Sequence, residues 1–168
     1  MSKNLFFITL LWITLSCSEA KKPVYPLPKN AQELLTDGNK KTWKLAQRFN
    51  NDTRMNMAGC FLSYRLTFTN DMTLADNNGQ QPDCGKSLKA NWKFVKDTTG
   101  NYYLKMQSPQ LPALMGIAED FKLMSILALE EEKLVLQYYH RQFSNKPTKF
   151  TDYLVPENVS VKGRDFHW

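Results

Sequence analysis

Two histidines and three cysteines are all that this 168-residue chain offers as soft metal ligands. His140 and His167 lie far apart in sequence, and with no cysteine to spare they cannot build a typical zinc or haem site. Gly-x-Ser-x-Gly, His-Glu-x-x-His, Cys-x-x-Cys and the Gly-rich phosphate loop are all missing. The chain is therefore expected to be no enzyme and to need no cofactor or metal. No apolar run reaches the roughly 18–20 residues that span a bilayer as a helix. Seven Gly and eight Pro are too few for a collagen-like or low-complexity chain. With 42% hydrophobic and 23% charged residues, wholesale disorder is excluded as well. The length suits one domain.

Charge gives a further exclusion. Twenty-two Lys+Arg against 16 Asp+Glu leave a net charge of +6, but the lysines are scattered: Lys40-Lys41, Lys86, Lys89, Lys93, Lys146, Lys149. Nucleic-acid binding calls for a dense basic stripe, so no nucleic-acid partner is expected. A mild attraction to anionic lipid headgroups or acidic glycans fits better.

What the chain does have begins at its start. Met1 to Asn4 is short and basic, Leu5 to Leu15 is an eleven-residue apolar stretch, and Ser16-Cys17 ends it abruptly. A basic n-region, an apolar h-region and a small residue before the cut define a secretory signal, here residues 1–16. Its removal takes away Lys3 and no acid, lowering +6 to +5. Leu15-Ser16-Cys17 resembles the bacterial lipobox, with Thr14 where that motif usually has Leu. The resemblance implies a lipidated Cys17 and a cell-envelope, lipid-anchored protein. Ser18, in place of a retention Asp, leans it toward the outer membrane. Acyl chains contribute ~0.8 kcal/mol per buried CH2, so two or three hold a protein durably at a membrane.

If Cys17 carries lipid, Cys60 and Cys84 remain in an oxidising compartment. Even parity there suggests a disulfide closing a loop of about 25 residues. Two separate buried thiols are the alternative, less suited to an exported chain.

Residues 17–29 read as the lipidated Cys and a Pro-rich tether, extended at ~3.1 Å per residue. Asn30-Ala-Gln-Glu33 reads as an N-cap with a capping-box acid, opening a short helix that stops at Asp37-Gly38. Beyond Gly38 the period changes to two. Trp43, Leu45 and Phe49 alternate with Lys44, Ala46 and Arg48, and the cleanest strand is Leu62 to Thr69. Leu88 to Phe94 and Tyr102 to Met106 alternate likewise. Shorter strands are expected at Met72–Asp76, Leu123–Leu129, Leu134–Tyr139 and Phe150–Val155. Asn70-Asp71, Asp76 to Gly79, Asp97 to Asn101 and Glu130-Glu131-Glu132 supply the turns. About eight short antiparallel strands with close turns point to a sandwich or an up-and-down barrel.

At this point the chain resembles a bacterial lipocalin-like lipoprotein of the short kind. The resemblance rests on order and spacing: lipobox, short helix, Lys41-Thr42-Trp43-Lys44-Leu45, Cys60, Leu66-Thr67-Phe68 before Asn70 to Thr73, Cys84, then Asn91-Trp92-Lys93-Phe94. The family's Gly-x-Trp is not intact, because Lys41 stands two before Trp43; Arg141 resembles the arginine that packs over that tryptophan. The resemblance implies an all-β fold, an up-and-down barrel of about eight strands over residues 30–155, with 156–168 as a C-terminal tail. It also implies a monomer that binds a small hydrophobic or amphipathic ligand in the barrel. Inward candidates are Leu66, Phe68, Trp92, Phe94, Leu104, Met106, Leu136 and Tyr138. The apolar connector Leu111 to Ala118 serves as lid or plug, with Met115 as its contact. The alternative is a filled barrel whose loops Thr53–Gly59, Gln80–Pro82 and Leu111–Ala118 bind a protein or glycan.

Overall fold

The computed structural model describes residues 24–141 and 146–167. The leader 1–16, Cys17 and the start of the tether lie outside the described residues. In chain order the elements are α1 (Ala31–Thr36), β1 (Lys40–Asn50), β2 (Thr53–Arg54), α2 (Cys60–Ser63), β3 (Arg65–Thr69), β4 (Thr73–Asp76) and β5 (Lys89–Lys96). There follow β6 (Tyr102–Gln107), α3 (Leu111–Met115), β7 (Phe121–Glu130), β8 (Lys133–His140) and β9 (Thr148–Pro156). The strand order is β2-β1-β3-β4-β5-β6-β7-β8-β9, and β9 also pairs with β1. β1 and β3–β9 therefore close into an eight-stranded antiparallel up-and-down barrel, with β2 an extra two-residue strand on the end of β1.

Turn residues place the corners. Asp37 and Gly38 both take positive φ and end α1. Asp97 binds the backbone N–H groups of Thr99 and Asn101 in the β5–β6 turn. The helix start departs from expectation: Asn30 makes no side-chain cap, so no capping box forms. The strand expected over Leu62–Thr69 begins only at Arg65, because Leu62 and Ser63 belong to α2.

The two ends of the barrel differ. α1 sits across one, where Leu35 and Trp43 are wholly buried and the Trp43 indole N–H donates to the Leu35 carbonyl at 3.0 Å. The cation over the Trp43 ring is Lys41, 4.4 Å from its centroid. Arg141 is not there; it is exposed, one residue beyond β8 at the opposite end. Tyr25 anchors the same closed end, its hydroxyl donating to the Leu129 carbonyl and accepting the Leu129 N–H. The segment expected to be a tether is thus docked on the barrel at Tyr25.

The other end carries α2, α3 and a disulfide between Cys60 and Cys84 (S–S 2.06 Å), 24 residues apart. The C-terminal segment packs on β2 and the loop after it: Gly163 accepts from Arg54, Asp165 from the Met57 N–H, and Phe166 lies under the Arg54 guanidinium at 4.0 Å.

One irregularity in β1 matters most. Leu45 pairs with Leu154, but Gln47 pairs with Tyr153, so Ala46 is an extra residue in the ladder. A bulge reverses which face each later residue meets. The simple alternation placed Phe49 inward and Arg48 outward; the bulge exchanges them, and Arg48 faces Asp152 across the β1–β9 ladder. The Leu45 carbonyl at this bulge accepts from Arg164 of the tail. A second bulge in β7 makes Leu127 the extra residue and leaves it exposed.

Candidate functional site

Large side chains fill the closed half of the barrel. Phe68 and Trp92 meet edge-on at 5.9 Å, and Trp92 and Phe94 at 5.4 Å. Leu104, Leu129, Leu134 and Leu154 complete that packing, each no more than 2% exposed. Toward the α2–α3 end the strands contribute smaller or polar residues, and a cavity of about 280 Å3 remains.

The cavity has two kinds of wall. Leu66, Met106, Met124, Leu136 and Leu154 make it apolar on the strands. Arg48, Tyr64, Asp76, Lys122, Tyr138, His140 and Asp152 bring in polar groups, while Phe61, Met115 and the Cys60–Cys84 disulfide roof it. Of the residues expected to face a ligand, Leu66, Met106, Met115, Leu136 and Tyr138 line this space. Phe68, Trp92, Phe94 and Leu104 are among the packed core or against it, away from the cavity lining. The barrel is thus filled at one end and hollow at the other. The connector forms α3, burying Leu111 completely and sending Met115 onto the cavity.

A single network organises the polar wall. The Arg48 Nε and one terminal nitrogen donate to the two carboxylate oxygens of Asp152, each at 2.6 Å. The same terminal nitrogen donates to the Tyr138 hydroxyl at 3.0 Å, and that hydroxyl donates to Asp152 at 2.9 Å. The guanidinium also lies 5.0 Å from the Phe61 ring centroid and 5.8 Å from that of Phe150. Burial opposes its charge, but Tyr138 and Asp152 outweigh that, and the Arg48 pKa is raised. Burial is also the main force pushing the Tyr64 and Tyr138 phenols up, so both stay protonated.

Lys122 is different. It is only 7% exposed and makes no ion pair among the described residues. Its ammonium rests 3.7 Å from the Met115 sulfur and 4.1 Å from the Tyr138 ring centroid. Burial lowers its pKa to about 8, only partly countered by Asp152. His140, on the same wall, is held below the ordinary imidazole value by burial and by Lys122 and Arg48, and its Nδ1 is buried without a hydrogen-bond partner. Asp76 is shifted up by burial, against a hydrogen bond from the Asn78 N–H.

The wall therefore carries a charge-matched Arg–carboxylate pair, the Asp76 carboxylate held by the Asn78 backbone, a lysine with no ion pair among the described residues, and an imidazole whose Nδ1 has no hydrogen-bond partner. Among the described residues no group of three or more His, Cys, Asp or Glu is placed to hold a metal.

Strand parity already carried part of this wall. Asp152 shares a strand face with Phe150 and Leu154, Lys122 with Met124 and Ile126, and His140 with Tyr138 and Leu136. Arg48 could be placed inside only by knowing the Ala46 bulge. No protein-family model matches the chain, and no curated protein matches it. Among solved structures, a lipocalin-like protein from Bacteroides uniformis is similar. That match covers 73% of this chain and 97% of the other, at 13% identity and a TM-score of 0.46. By its own closed eight-strand ladder and short leading helix, the chain has a lipocalin-like fold.

Proposed function

We propose that this protein binds a compact amphipathic molecule in the hollow half of its barrel and acts by binding rather than by catalysis. The observation that carries the proposal is the cavity of about 280 Å3, with aliphatic strands on one side and a hydrogen-bonding wall on the other. Ligand sites are usually largely pre-formed and mostly apolar, with a few placed polar groups, at about 300–1,000 Å3 for drug-sized ligands. At about 280 Å3 this cavity lies just below that range, which favours a small ligand. The lipobox-like Leu15-Ser16-Cys17 supports a place at the cell envelope, most simply the outer membrane, with acyl chains on Cys17 as anchor and the barrel a monomer on a short tether.

Methionines test the proposal directly. Met106, Met115 and Met124 line the cavity, whereas Met72 is exposed in the β3–β4 turn at the closed end. With 13C-methyl methionine labelling, eight-carbon amphiphiles are expected to shift the three cavity methyls and leave Met72 in place. Shifts confined to Met55 and Met57 in the loop Thr53–Gly59, with silent cavity methyls, would favour a filled scaffold that binds through its loops.

A further inference from the structure

We infer that the ligand is an organic anion, a carboxylate in the first instance, whose charge seats on the Lys122 ammonium inside the barrel. This deepens the binding reading above and rests on it. The argument is one of charge and geometry.

The Arg48 charge is already matched by Asp152 in a two-point fork, and its Nε and one terminal nitrogen are taken by Asp152 and the Tyr138 hydroxyl. Lys122 makes no ion pair among the described residues, and Asp152 acts on it only at longer range. Its neighbours are a thioether and a ring face, both weak partners for an ammonium. Burying such a cation unpaired is costly, and an anion seated against it would offset that cost.

The groups facing this site from each surrounding strand agree. β1 gives Arg48, β8 gives Tyr138 and His140, and β9 gives Asp152, already paired. The Tyr64 phenol, on the α2–β3 junction, is protonated at neutral pH. Asp76 comes from β4, separated from β7 by β5 and β6, and its carboxylate accepts from the Asn78 backbone. A carboxylate placed on Lys122 would have the His140 Nδ1, in its N–H tautomer, on the same wall as a second donor. The aliphatic strands would then take the rest of the molecule. A ligand cation placed there would meet the Lys122 ammonium and is disfavoured.

The test compares octanoate, octanamide and octylamine by calorimetry on the intact domain, wild type and Lys122→Met, between pH 7 and 9.5. On the wild type at pH 7, octanoate is expected to bind about 10- to 150-fold more tightly than octanamide, the range of a charged hydrogen bond, and octylamine least of all. Lys122→Met should remove that preference and keep octanamide binding. Above about pH 8 the wild-type preference should fall as the ammonium loses its proton. At pH 8.5, octanoate binding should take up protons, visible as a dependence of the heat on buffer ionisation. The wild-type pH series decides the matter even if the variant does not fold. Equal affinity for octanoate and octanamide, or a preference that survives Lys122→Met, would overturn the inference and leave the binding reading standing. Binding of none of the three would overturn both.

Discussion

Removing the Asp152 carboxylate isolates the interaction on which the polar wall is built. Arg48 and Asp152 side chains are only 11% and 10% exposed, and their two hydrogen bonds are both 2.6 Å long. Asp152→Ala leaves a buried guanidinium with one phenol and two ring faces. Breaking a buried pair by deleting one partner costs about 3–5 kcal/mol, because an uncompensated charge remains. That is a large part of the ~5–15 kcal/mol that holds a domain together. In urea, with m near ~2 kcal/mol/M, the midpoint should fall by roughly 1.5–2.5 M. Removing both charges is a different perturbation. Arg48→Met with Asp152→Leu fills similar volume with apolar atoms, and such swaps are often neutral or stabilising by about 1–4 kcal/mol. The double variant should therefore recover most or all of what the single variant loses. A single variant costing less than about 1 kcal/mol would mean that the pair is solvated. It would put Arg48 outside the barrel and remove the bulge from the account. A double variant as weak as the single one would show that the network matters through something other than charge.

Three further outcomes follow from the same structure. Reducing the Cys60–Cys84 bond, or replacing both cysteines by serine, should destabilise the domain by about 3 kcal/mol on the chain-entropy account, read from melts with and without reductant. Lys122→Met should stabilise the domain at pH 7 by about 3 kcal/mol, since the folded state holds this group near pH 8 against 10.5 in the unfolded chain. The sign is fixed by proton counting: between those values the unfolded chain binds the extra proton, so the wild type should gain stability from about pH 8 to 10.5 and the variant should lack that slope. Deleting Ala46 should restore plain alternation in β1, turn Phe49 inward and Arg48 outward, and lower the melting temperature markedly, as thermal unfolding by circular dichroism will show.

The barrel was legible because its strands are mostly two-sided. Leu88 to Phe94 and Tyr102 to Met106 alternate cleanly, one face meeting the core and the other water, and β5 and β6 lie there. The expectation of export, with an even pair of cysteines left, pointed to the Cys60–Cys84 bridge that the structure contains. Leu62 misled because the alternation continues backward from Arg65 into residues that form the single turn of α2. The cavity was less legible for a physical reason. Hydropathy marks a buried strand face by its apolar members, so Lys122 and Asp152, on inward positions, read as interruptions or lie at strand ends. Arg48 was further hidden, since a bulge has no hydropathy signature: Ala46 is as apolar as its neighbours need it to be. Which aromatics fill space and which border a void was equally out of reach, because period two places Phe68 and Tyr138 on the same inner surface without saying how far along the barrel axis each one lies.

The most direct measurement of the central claim, a cation held inside the barrel without a counterion, is the titration of Lys122 followed through its 13Cε resonance in the ligand-free domain. The account predicts a midpoint near pH 8, produced by burial beside Met115 and Tyr138. A midpoint at the ordinary lysine value of 10.5 would place that ammonium in water, and the polar cavity wall described above would not exist.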